Sequence, residues 1–335
     1  MTRGAYGADE IYTRMAFDSL PRWRWLSERA GLPIFHPLGV LFFSAQNEAY
    51  FQHSVAVHRR LGLPTETLST RQLEQRYPQV DWSGVTIGLL EPQFGALMAR
   101  RAVQTLVREF VAAGGEYRTA AVVPSPADTK PLTLRTTEGT VLSASNYVFA
   151  CGPWLPKLFP DLLGKRIFPT RQTVFFFAPP AGDARFGPQA LPGWADFNAG
   201  DLYYGFPELE GRGFKIAHDK HGPAIDPDVG DRQTTAEELA DVRSYMVRRF
   251  PALARAPMVE SRVCQYENSS NGDLLIDRHP NAPNVWLVGA GSGHGFKHGP
   301  EVGRYASELI RGVRDVPEPR FSLQTKDVVQ RRAVH

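Results

Sequence analysis

At 335 residues the chain is long enough to bury a sizeable core and to make two domains. An apolar content of 42%, a charged content of 22% and a net charge of +3, with both signs interspersed, describe an ordinary soluble protein without a basic stripe, so no nucleic-acid partner is expected. No apolar run reaches a membrane span, no secretory segment opens the chain, and two cysteines make no disulfide framework, so a cytoplasmic protein that does not engage membranes is expected.

In chain order, residues 9–30 read as a helix interrupted by Pro21, with Ile11, Met15, Trp23 and Leu26 as its apolar positions. A short apolar strand follows at 39–44, then a helix at 48–61 closed by Gly62. Ser69 with Gln72 makes a capping box for a short helix that Pro78 ends, and 85–90 is a strand. Residues 95–113 carry the clearest helical pattern, with Leu97, Val103, Leu106, Val107, Phe110 and Val111 on one face and Gly114-Gly115 as the stop. Residues 132–136 and 141–143 form a hairpin around Glu138-Gly139, and a buried strand at 147–150 runs into Cys151-Gly152-Pro153-Trp154. Aromatic strands at 174–178, 201–206 and 214–217 flank a turn-rich loop at 179–193. A helix at 236–250, stopped by Pro251, precedes strands at 262–266 and 274–276. The charged tail after Gly312 is expected to be loose.

Residues 284–312 organise the rest. Val285 to Val288 is a buried strand, and Gly289, Gly291, Gly293 and Gly295 let the backbone approach a ligand closely. From Pro300, Val302, Tyr305, Ala306, Leu309 and Ile310 fall at helical spacing up to Gly312. Such a loop aims free N–H groups and a helix dipole at something anionic, and Lys297 adds a full charge. Its spacing is neither the dinucleotide fingerprint nor a phosphate loop nor a nucleophile elbow, so a plain tight connection and a ligand site both stay open. His294 and His298, and likewise His218 and His221, have spacings seen in metal ligands. The first pair precedes the helix, however, where helical spacing has no force, and no metal site is expected.

The motifs Arg262-Val-Cys-Gln-Tyr266, Leu275-Ile-Asp-Arg-His-Pro280 and Ser292-Gly-His-Gly-Phe-Lys297 resemble, in order and spacing, the C-terminal signature of monomeric sarcosine oxidase and the N-methyl-amino-acid oxidases, D-amino-acid-oxidase-like flavoproteins. Ala150-Cys-Gly-Pro-Trp154, Tyr203-Tyr-Gly-Phe-Pro207 and Phe214-Lys215 extend the resemblance over nearly the whole chain. It implies FAD, hydride transfer from a C–N bond of a secondary or N-methyl amino acid, and dioxygen reduced to hydrogen peroxide. By the same resemblance, Cys264 carries the flavin covalently, Tyr204 and Tyr266 line the substrate pocket, and Arg3 and Lys297 clamp the substrate carboxylate. Lys215 assists dioxygen reduction. Gly293, His294, Gly295 and Phe296 face the flavin, while Val123, Gly152 and Trp154 lie along its adenine and pyrophosphate half.

The implied fold class is α/β (α+β): an incomplete Rossmann-like FAD-binding domain (1–35, 94–172 and 263–320) interleaved with an antiparallel-sheet substrate domain (36–93 and 173–262), then a loose tail at 321–335. Two departures from the pattern carry expectations. Asp219 stands where sarcosine oxidases have a pocket histidine, which bears on the substrate. The recorded sequence begins at Met1-Thr-Arg3, downstream of the family's strand, G-x-G-x-x-G and helix. An N-terminally incomplete enzyme, a monomer when complete, is therefore expected, with the apolar faces of 95–113 and 302–310 lacking part of their cover. An inactive remnant and a flavin dehydrogenase with another electron acceptor are the alternatives.

Overall fold

In a computed structural model of the chain, residues 1–46, 48–123, 134–198, 201–220, 222–314 and 316–330 are described. His221, the first two positions of the expected 132–136 strand, and residues 331–335 lie outside them.

An eight-stranded sheet dominates, in the order Met258–Ser269, Ile167–Phe177, Phe214–His218, Asp201–Phe206, Gly193–Asn198, Val40–Ser44, Ile87–Glu91, Glu66–Leu68. Only the contact between Gly193–Asn198 and Val40–Ser44 is parallel. The apolar run of Val40–Ser44 follows from cover on both faces. Leu41 and Phe43 join Phe175, Phe177, Trp194 and Phe214 in a core that also holds Tyr245, Met246 and Phe250, from and just after the helix Ala236–Arg249. Val40 and Phe42 join Trp23 and Leu26 of the helix Glu10–Ala30 and Phe51 of Glu48–Leu61 on the opposite face. A second sheet, Leu275–His279, Ala282–Gly289 and Tyr147–Phe149, has its last pair parallel. It ends in the glycine loop that precedes the helix Gly299–Ile310.

The Glu48–Leu61 helix and the Ser69–Gln72 capping box stand as expected. Pro21, in contrast, does not interrupt its helix. Glu10–Ala30 runs through it, with the proline on the exposed side and Trp23 and Leu26 buried. The expected 95–113 helix starts only at Ala99, because Ala96–Leu97 pairs with Phe35–His36. A Cβ on Gly95 would sit 1.9 Å from the His36 carbonyl oxygen, so glycine alone permits that pairing. The helix Ala99–Ala112 buries Ala102 and Thr105 and leaves Val103, Leu106, Phe110 and Val111 about half exposed, so its apolar face is largely open.

Within the segment expected to be loose, residues 319–327 are anchored. Arg320 forms ion pairs with Asp9 at 2.7 Å and Asp273 at 2.6 Å, and Phe321 is buried against Tyr12 and Tyr305. Lys326 is fully buried, its ammonium donating to the Arg320 carbonyl at 2.6 Å. Partners distant in sequence anchor this stretch. Among the described residues, no helix is long and apolar enough to cross a membrane.

Candidate active site

The pleat of the large sheet assembles the site. Residues directly opposite on neighbouring strands share a face, and so do residues two apart on one strand. Cys264 lies opposite Gln172, Phe176 opposite Lys215, and Lys215 opposite Phe206. Adding Tyr266, two residues from Cys264, and Tyr204, two from Phe206, puts all seven side chains on one face. They line one cavity of about 270 Å³, close to the ~300 Å³ lower end for small-molecule sites. Tyr203 points the other way, stacking on Tyr245 at 4.0 Å between ring centroids.

Within the cavity, the Lys215 ammonium lies 5.0 Å from the Tyr204 ring centroid and 5.4 Å from that of Phe206. Burial pushes its pKa down, while Cys264 and Asp219 pull it back up. Burial pushes the Tyr204 phenol up, Asp219 adds to that, and a hydrogen bond with Tyr266 opposes it. Asp219 is buried and accepts a hydrogen bond from Gln172 Nε2 at 3.1 Å.

The glycine loop closes against this face. A Cβ on Gly293, at φ +79°, would stand 2.4 Å from the Tyr266 ring, so only glycine lets the loop pack there. Ala290 and Ser292 also adopt left-handed conformations, at φ 56° and 45°. Anchoring by the Met258–Ser269 strand holds them: Ser292 N donates to the Glu267 carbonyl at 2.9 Å, and Ser269 N to Ser292 Oγ at 3.1 Å. Lys297 is buried, its ammonium donating to the His294 carbonyl at 2.6 Å. Arg3 is buried too, bound to the Ala5 carbonyl and 3.5 Å from the Tyr50 hydroxyl. Arg3 and Lys297 stand over the same buried ring, that of Tyr6.

Other expected site residues lie elsewhere. His294 turns into a buried cluster with Tyr6, Tyr12 and His298. Phe296 stacks on Trp23 at 5.6 Å and lines a separate apolar pocket of about 510 Å³ with Trp25 and Leu106. Gly295 opens the turn between these two residues. Val123 sits in the small sheet formed with Leu134–Thr136. Trp154 donates to Asp228 Oδ1 at 2.7 Å, and neighbouring Gly152, at φ +54°, has open space around it.

Two buried carboxyl groups escaped the sequence reading. Glu91 accepts from Gly4 N at 2.8 Å, beside Arg3, and burial pushes it up to about 8. Glu267 is likewise pushed up to about 8 by burial, opposed by hydrogen bonds from the N–H groups of Ala290 and Gly291. Each supports a loop that carries a cation. A carboxylate inside an apolar strand pattern was the available signal for Glu91.

By class the chain is a flavin-dependent oxidoreductase, since residues 1–309 match the family DAO, FAD dependent oxidoreductase. It belongs to that family. Monomeric sarcosine oxidase of Bacillus sp. (strain NS-129) is 28% identical over 344 aligned residues, covering 99% of this chain and 86% of that protein. N-methyl-L-tryptophan oxidase of Yersinia pestis (strain Pestoides F) is 27% identical, covering 95% and 83%. Two solved structures share the fold. L-proline dehydrogenase from P. horikoshii has a TM-score of 0.79 at 21% identity, covering 96% of this chain and 84% of that one. Glycine oxidase from Geobacillus kaustophilus has a TM-score of 0.77 at 19% identity, covering 93% and 82%.

The cavity fits the ring end of FAD. Val174, Phe176 and the Cys264 thiol supply apolar and polarisable walls, Lys215 adds a cation, and the thiol is half-buried rather than sealed.

Proposed function

We propose that this chain oxidises the C–N bond of a secondary or N-methyl amino acid and passes the electrons to dioxygen, releasing hydrogen peroxide. The observation that carries the reading is the single sheet face bearing Cys264, Tyr266, Tyr204 and Lys215; Arg3 and Lys297 stand together over the Tyr6 ring. When bound, FAD supplies the hydride acceptor and the route of electrons to dioxygen.

Arg3 and Lys297 take the substrate carboxylate, one through a planar fork and the other as a point charge. Asp219, beside Tyr204 and Lys215, repels that carboxylate and attracts the substrate's ammonium, which orients the amine toward the tyrosines. Lys215 favours the negative charge that develops as dioxygen is reduced. Cys264 would hold the flavin through a bond from Sγ to a ring methyl, whose formation would release the thiol hydrogen, one methyl hydrogen and two electrons to dioxygen.

The protein supplied with FAD and an N-methyl amino acid in air is expected to release one hydrogen peroxide per substrate oxidised. Turnover with a dye acceptor but no peroxide would instead make it a dehydrogenase. Acid precipitation of the wild-type holoenzyme is expected to keep the flavin in the pellet, and Cys264→Ser to release it into a yellow supernatant. Free flavin from both would refute the covalent link.

A further inference from the structure

The two cations assigned to the substrate carboxylate stand over one ring. Arg3 Cζ lies 4.0 Å from the Tyr6 ring centroid and Lys297 Nζ lies 5.3 Å from it. Both are inside the ~6 Å reach of a cation–π contact. Tyr6 is buried, so the contacts are made away from water, where this attraction is strongest. Two like charges gathered at one place repel each other, and the electron-rich ring offsets that repulsion.

The hydroxyl of Tyr6 fixes the ring's orientation. His294 Nε2 lies 3.0 Å from the Gly272 carbonyl oxygen, which can only accept, so Nε2 carries the proton. In neutral His294 the Nδ1 therefore accepts, and the Tyr6 hydroxyl, 3.2 Å away, donates to it. The lone pairs of that hydroxyl are left for His298, whose Nε2 donates from 2.9 Å. Burial keeps His298 neutral, its pKa well below the usual value. Its Nδ1 has no hydrogen-bond partner among the described residues, as expected when the single ring proton is on Nε2. The donors thus run in one direction, from His298 through Tyr6 and His294 to Gly272.

We propose that Tyr6 is a positioning residue for the carboxylate site: its ring seats Arg3 and Lys297 together, and its hydroxyl, held between two histidines, keeps the ring in place beneath them. Tyr6 acts through the cations and not on the reacting atoms. The inference rests on the reading of Arg3 and Lys297 as the carboxylate clamp. Loss of the ring does not abolish the site, because Lys297 keeps the His294 carbonyl and Arg3 keeps the Ala5 carbonyl.

The test is calorimetric titration of the holoenzyme with acetate, a carboxylate that does not react, and with acetamide, its neutral counterpart. Tyr6→Leu is expected to weaken acetate about tenfold relative to acetamide, and Tyr6→Phe, which retains the ring, much less. Unchanged acetate binding in Tyr6→Leu overturns the inference. Equal losses in the Leu and Phe variants overturn it as well, because the hydroxyl would then account for the effect. Parallel loss of acetate and acetamide marks general damage to the site and also rejects it. If wild type does not prefer acetate to acetamide, the clamp reading fails and takes this inference with it. Should Tyr6→Leu not fold, Tyr6→pentafluorophenylalanine keeps the ring's shape but removes its electron-rich face. That variant must then weaken acetate relative to Tyr6→Phe, and equal binding in the two rejects the proposal.

Discussion

Lys215→Met is expected to slow reoxidation of the reduced holoenzyme by dioxygen by about 10²–10³-fold, the range seen when one preorganised electrostatic group is removed. Reduction by substrate should change far less. Methionine nearly matches lysine in length and can fill the space beside Tyr204 and Phe206, so the packing survives while the charge is lost. Burial already pushes the Lys215 pKa down, so the fold holds this ammonium where hydration is poor and its field acts strongly on a neighbour. Arg100, Arg212 and Arg262 line the same cavity, Arg212 and Arg262 beside Glu260, while Lys215 is the cation opposite Phe206 and Phe176 in the strand register. Stopped-flow absorbance separates the two half-reactions. Equal slowing of both would mean that Lys215 only shapes the pocket, and unchanged reoxidation would mean that dioxygen is reduced elsewhere.

The pleat that places Lys215 was legible in the sequence, because a lysine between Phe214 and Ile216 announces two unlike faces. The Ser69 cap and the Glu48–Leu61 helix were legible for the same reason: their signals lie within a few residues of what they decide. Contacts between distant segments were not. Helix Ala99–Ala112 starts late because the backbone at Gly95 meets His36, and no local pattern near either residue says so. Residues 319–326 look like a polar tail until Arg320 reaches Asp9, 311 positions away, and Asp273. Within the site, the motifs marked Arg3 and Lys297, whereas Tyr6 becomes visible only when the chain's two ends meet. His294 was marked by its glycine-rich neighbourhood, but the packing of its ring into the Tyr6 cluster was not legible there.

Asp196→Ala is expected to destabilise the protein by about 3–5 kcal/mol, the cost of leaving one partner of a buried ion pair uncompensated. Asp196 and Arg249 side chains are 3% and 6% exposed and meet at 2.9 Å. Asp196 also accepts from the Tyr245 hydroxyl at 2.9 Å and from Asn198 Nδ2 at 2.6 Å. The Arg249 guanidinium continues to the carbonyls of Asp81 and Ser83, both at 2.9 Å, and so ties the helix Ala236–Arg249 to the loop before Ile87–Glu91. Removing the carboxylate strands a guanidinium and a phenol beneath the sheet whose other face carries Tyr204 and Lys215. Equilibrium unfolding in urea measures the loss. Asp196→Ala combined with Arg249→Met should cost less than the sum of the two single changes, because the stranded charge leaves with its partner. A single-variant loss within the ~0–1 kcal/mol of a surface pair would show that the two carbonyls suffice for Arg249. The ion pair would then contribute little to holding the helix on the sheet.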